Sequence, residues 1–196
     1  MINYTQHIER VCIDICQKVP QFKHIDPTRI AYSAAYSRKN ARFRRIAVMV
    51  GCKPKPGSLA DQLGIKAQRL KTPSKKIASY MMRIYFPWFF KESFEQKIDT
   101  LIHELWHIGV KFDGALRENG SHYDGFQDDV DSLIDDYLGN APNWDLLDWF
   151  DKKIDRDDVW GWRYPIPKAT NLDKILGEEY IHRKRYVECS LVKINL

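Results

Sequence analysis

Residues 93–108, Ser-Phe-Glu-Gln-Lys-Ile-Asp-Thr-Leu-Ile-His-Glu-Leu-Trp-His-Ile, constrain this chain more than any other stretch. Ser93 and Gln96 stand at the spacing of a capping box, in which two side chains satisfy free N–H groups at a helix start. Phe94, Ile98, Leu101, Leu105 and Ile108 then recur every three or four residues, as one apolar stripe does. The pattern predicts a helix over 94–108, about four turns long, with Gly109 as its terminator. His103 and His107 fall off the stripe and face a different neighbour, which could be a cleft.

His103 and His107 are one helical turn apart, so their imidazoles share a face. Two imidazoles so placed can bind one metal ion. Glu104 cannot easily reach the same ion but can reach a water held by it. Two ligands and a general base are the logic of the HExxH pattern. The plainer alternative is a polar helix face with two solvated histidines. A catalytic zinc takes a third protein ligand and leaves one position for water. His122, in a Gly- and Asp-containing turn, is the favoured third ligand, because imidazole is the commonest metal ligand. Asp113, Glu118, Asp124 and Asp128 compete with it. Tyr123 and Arg117 are candidates to steady a developing oxyanion, and Asp113 and Asp129 to orient the imidazoles. His7, His24 and His182 have no partner at useful spacing and read as structural or exposed. The chemistry these residues suit is peptide hydrolysis by a zinc-activated water, with Glu104 as general base.

Charge is unevenly distributed. Residues 1–91 hold 18 Lys and Arg against 4 Asp and Glu, whereas residues 92–160 hold 6 against 18. The basic half can attract DNA or another polyanion, or it can neutralise the acidic half within one fold. Of the four cysteines, Cys12, Cys16, Cys52 and Cys189, none stands in a CxxC pair, so buried free thiols are expected. No run of apolar residues is long enough to span a membrane. The first residues lack the basic-then-apolar order of a signal peptide, so a cytoplasmic location is expected.

Helical spacing marks residues 4–19, ended by Pro20, and Asp26-Pro27 reads as the start of a short second helix. Residues 43–50 and 77–86 read as strands. The second is stopped by Pro87 and is either internal or a sheet edge on which an extended peptide could pair. Residues 58–76 are polar and basic without a period. An amphipathic helix is expected at 126–138, a further helix at 171–184 and a strand at 186–194. Trp160–Pro165 reads as a lid or as core packing. The fold class is α+β, with a core over 1–140 and an extension, 141–196, packed on it.

A strand, then His103-Glu104-Leu105-Trp106-His107 on a helix, then His122 four residues before Phe126, resembles the SprT-like zincin metallopeptidases. The run from His103 to Arg117 followed by Val130–Leu138 resembles still more closely a related group of phage metallopeptidases. The resemblance covers about residues 26–140 and is specific over 93–138. It implies a small zincin fold with a short mixed sheet, His103, His107 and His122 as zinc ligands, and Glu104 as catalytic acid and base. The chain departs from the pattern where Tyr123 replaces the glycine usual after the third histidine, and in lacking the CxxC pairs of a zinc ribbon. Some SprT-like proteases act on proteins attached to DNA, which the basic half would suit. The rival readings are a nucleic-acid or partner-binding module with a structural metal, binding through Arg38, Lys39, Arg42, Arg44, Arg45, Lys75 and Lys76, and a hydrolase of a non-peptide amide or ester.

Overall fold

The computed structural model describes residues 2–36, 45–53, 70–117, 123–150, 159–164 and 187–194. Strand β1 (Ile2–Asn3) leads into helix α1 (Tyr4–Lys18), where the Asn3 side chain accepts the Gln6 N–H at 3.1 Å. Ile8, Val11, Cys12 and Ile15 form its buried stripe, as their spacing predicts. Asp26 and Pro27 start only a single 3-10 turn, Pro27–Arg29, and strand β2 (Ile30–Tyr36) follows at once. The expected short second helix is thus a single 3-10 turn that keeps the expected start, with Asp26 as N-cap accepting the Thr28 N–H at 3.0 Å and Pro27 in its first turn. Parallel pairing of all seven β2 residues with a later strand, from Ile30 with Tyr80 to Tyr36 with Phe86, outweighs local helix signals.

That later strand is β5 (Tyr80–Phe86), and β3 (Ala47–Gly51) pairs antiparallel along its other side. The order β2-β5-β3 makes β5 central, so the sheet-edge reading of residues 77–86 is corrected. Its composition fits that position, because Tyr80, Met81, Met82, Ile84, Tyr85 and Phe86 are all buried. Among the described residues, β3 is the side of this sheet with only one strand neighbour next to the helices that follow.

After the short helix α2 (Trp88–Lys91) come α3 (Phe94–Trp106), α4 (Phe126–Gly139) and α5 (Trp144–Leu147). Both halves of the Ser93–Gln96 capping box form. The stripe of α3 (Ile98, Leu101, Leu105) meets Val130, Leu133 and Tyr137 of α4 and the Tyr80–Met82–Ile84–Phe86 face of β5 in one core. Each such side chain contributes about 1.5–3 kcal/mol by leaving water.

The C-terminal residues pack on this core. Strand β6 (Val159–Arg163) lies between β1 and β8 (Ser190–Lys193), while β4 (Leu70–Lys71) pairs with β7 (Val187–Glu188). A Cβ at Gly161 would fall 2.9 Å from Ile194 Cδ1 and 3.2 Å from Ala34 Cβ, so Trp160–Trp162 is packed strand rather than lid. The expected strand at 186–194 is divided at Cys189, and the expected helix at 171–184 lies outside the described residues. The described molecule is a mixed α+β fold, and no described helix is long and apolar enough to cross a membrane.

Candidate metal centre

Helix α3 delivers His103, Glu104 and His107 to one place. The helix ends at Trp106, and His107 caps it with near-helical angles, φ −66° and ψ −12°. Gly109 is not the left-handed terminator its position suggests. Its N–H donates to the Ala115 carbonyl at 3.1 Å, and a Cβ there would stand 2.6 Å from that oxygen. Close approach, not positive φ, requires glycine at this position. The segment after the helix folds back on itself: Ile108 bridges Leu116, and the Arg117 N–H donates to the His107 carbonyl at 3.0 Å. The Tyr80 hydroxyl secures the tip, donating to Ala115 O at 2.7 Å and accepting the Gly114 N–H at 3.2 Å. Phe112 and Gly114 turn the chain with φ of 47° and 95°.

The two imidazoles are half-buried, with ring centroids 5.0 Å apart. Phe126, the first residue of α4, contacts both. It meets His103 edge-on at 4.8 Å and stacks on His107 at 5.7 Å. Trp106 packs on Phe126 at 5.1 Å and on Tyr123 at 5.7 Å. The Arg117 guanidinium lies 4.3 Å over Trp106 while its Nε donates to Ile108 O at 3.2 Å. Aromatic pairs of this kind contribute about 0.5–1.5 kcal/mol each. They hold the imidazole pair against a rigid wall.

Glu104, next to His103 in sequence, reaches the sheet. It is buried at 7% exposure, and its Oε2 accepts the Met49 N–H from β3. Burial pushes its carboxyl up to about 7, against the smaller opposing pull of that N–H. A carboxyl that titrates near neutrality is suited to accept and return a proton. The helix C-terminus is the negative end of the macrodipole, so a cation beside His103 and His107 is favoured there.

Of the residues expected to join the pair, several are placed elsewhere. His122 and Glu118 lie outside the described residues. Asp113 pairs with Lys53 at 2.6 Å and accepts the Ala115 N–H at 3.1 Å, which occupies both its oxygens in the loop tip. Asp124 and Asp128 are exposed. Asp129 accepts the Tyr123 hydroxyl. Among the described residues, no group of three His, Cys, Asp or Glu is placed to hold a metal. His7 is structural, stacked on Trp149 at 3.8 Å with Nε2 2.8 Å from Leu146 O. His24 is half-buried, and burial followed by the Arg117 charge holds its pKa down.

Sequence reasoning missed two partners of the site. Met49 acts through its backbone, which carries no side-chain signal. Phe126 entered only as a spacing marker, although it touches both imidazoles. The basic segment is also partly resolved by the structure. Arg38, Lys39, Arg42 and Arg44 lie outside the described residues, but Lys53, Lys71 and Lys75 pair with Asp113 and Glu188 downstream. Of these pairs, Lys53–Asp113 joins the basic stretch to the acidic one, and Glu188 belongs to the C-terminal residues. Comparison of the chain with protein-family models, with curated proteins and with solved structures gives no match.

Proposed function

We propose that this chain is a zinc-dependent metalloendopeptidase of the SprT-like zincin type. The observation that carries the reading is a division of labour on one helix turn. His103 and His107 share a half-buried face against Phe126, while Glu104, between them in sequence, is buried with a carboxyl poised near neutrality.

The donor set fits zinc in chemistry and spacing, since neutral imidazoles one turn apart are its preferred nitrogen ligands. His103 and His107 would hold the ion, with His122 as the proposed third ligand. When bound, zinc polarises a carbonyl and makes a nucleophile of water at neutral pH. Glu104 accepts the proton released as water attacks the peptide carbonyl and delivers it to the leaving amine. The Met49 N–H fixes one carboxylate oxygen, which leaves the other for that proton traffic. Phe126 and Trp106 shield the imidazoles from water on one side. Arg117, whose Nε donates to the Ile108 carbonyl, is the proposed group to steady negative charge on the substrate oxygen, since the Tyr123 hydroxyl donates to Asp129.

The decisive experiment measures zinc per chain and cleavage of an unfolded protein substrate together. About one zinc per chain is expected, lost in His103→Ala and in His107→Ala along with hydrolysis. A purified chain that holds no zinc, or an alanine variant at either histidine that still cleaves, would sink the reading.

A further inference from the structure

A second surface feature lies at the opposite end of α3 from the histidines. The N-terminal half of α3 and the length of α4 from Gln127 to Leu138 flank a groove of about 270 Å³. Phe94 and Ile98, one turn apart on α3, and Ile134 and Leu138, one turn apart on α4, line it. Ile98 is buried in the core at the groove floor, whereas Phe94 and Ile134 are only half-buried and Leu138 remains 38% exposed, so these three are left for a partner to cover. Around the apolar floor stand Glu95, Asp99 and Asp131, and no Lys or Arg lines the groove among the described residues. Gln127 donates to Asp99 at 3.4 Å and to Asp131 at 2.9 Å, so the two walls are tied at one end.

We propose that this groove docks a basic amphipathic segment of a protein partner, with aliphatic side chains entering between the helices and Lys or Arg flanks meeting the acidic rim. Apolar anchors at helical spacing suit a helix laid along a two-helix groove. The rim selects the sign of the partner's charge, since opposed carboxylates repel an acidic chain and a nucleic-acid backbone alike. A symmetric second copy is disfavoured for the same reason. An isologous contact would set this acidic rim against itself.

The test uses the full chain and a synthetic helical peptide with Leu at i, i+4 and Lys on its flanks, beside a control with Glu in place of Lys. Binding is read by titration calorimetry at low salt. The Lys peptide is expected to bind and the Glu peptide not to. Asp99→Lys combined with Asp131→Lys should weaken binding about tenfold or more, as should Ile134→Ser combined with Leu138→Ser. Circular dichroism verifies folding, and the charge-reversal variant, altered only at the groove rim, keeps the test valid if the apolar variant unfolds. Equal binding of both peptides, or indifference to charge reversal, would overturn the proposal. So would self-association of the chain, seen by sedimentation and lost in the same variants, which would assign the groove to a second copy. None of these readouts involves zinc.

Discussion

Asp14 and Glu104 are the two buried carboxylates among the described residues, at 8% and 7% exposure, and their surroundings differ. Asp14 of α1 is surrounded by donors. Its Oδ2 accepts the Tyr137 hydroxyl at 2.7 Å and the Asn143 N–H at 3.0 Å, and Lys18 approaches Oδ1 at 3.3 Å. These contacts tie α1, α4 and the start of the C-terminal residues together. Glu104 accepts one backbone N–H, from Met49, and burial drives its carboxyl up. A buried charge that is fully hydrogen-bonded serves the fold. One left with a single donor and pushed up by burial suits the proton transfer proposed above.

The largest effect that can break this contrast is on turnover. Glu104→Gln keeps the shape and one acceptor for Met49 but cannot take a proton. It is expected to lower kcat/KM by roughly 10²–10⁴-fold with zinc content unchanged. Asp14→Asn should leave kcat/KM per folded molecule near the wild-type value. Steady-state assays with metal analysis check both, and a Glu104→Gln variant with wild-type turnover would erase the distinction.

Stability should move the opposite way. Asp14→Ala leaves the Tyr137 hydroxyl and the Asn143 N–H without their acceptor. At about 1–3 kcal/mol for each stranded donor, the loss is about 3 kcal/mol, which lowers Tm by roughly 6–12 °C. A thermal melt that moves by less than a degree would show that this junction is not held by Asp14.

The pH dependence of the metal-free chain sharpens the same comparison. Glu104 rises from 4.5 to about 7 on folding. Below 4.5 it is protonated in both states and has no effect. Between those values the unfolded chain ionises first and binds fewer protons, so stability falls as pH rises. The fall is complete above pH 7 and amounts to about 3 kcal/mol. Glu104→Gln removes it, so the variant should match wild type near pH 4 and exceed it near pH 8. Urea melts of zinc-stripped protein at the two pH values decide the point; a constant difference between the proteins would show that Glu104 is not the group responsible.

What could be read from sequence follows the range of the interactions. Helix α3 was legible because Ser93, Gln96 and the apolar stripe act within a few residues of each other, and α4 was legible for the same reason. Strand β2 was not. Ile-Ala-Tyr-Ser-Ala-Ala-Tyr has weak alternation, and its conformation comes from pairing with β5, some fifty residues later. The central place of β5 was equally hidden, because both of its neighbours are distant in sequence. Within the candidate site, spacing put the histidines and Glu104 on one helix, but the donor to Glu104 is a main-chain N–H that any residue except proline at position 49 would supply.

The smallest expected effect concerns Tyr123, which the sequence offers as an oxyanion donor. Its ring packs on Trp106 and Phe126 at the edge of the site, but its hydroxyl donates to Asp129. Removing a true oxyanion donor costs about 10²–10³ in kcat. Tyr123→Phe keeps the ring contacts and loses only an exposed hydrogen bond to Asp129. It should therefore change kcat/KM by less than about threefold, whereas Arg117→Ala should approach the larger figure. A hundredfold loss in Tyr123→Phe would mean that the hydroxyl leaves Asp129 when substrate binds, and would transfer to Tyr123 the role assigned here to Arg117.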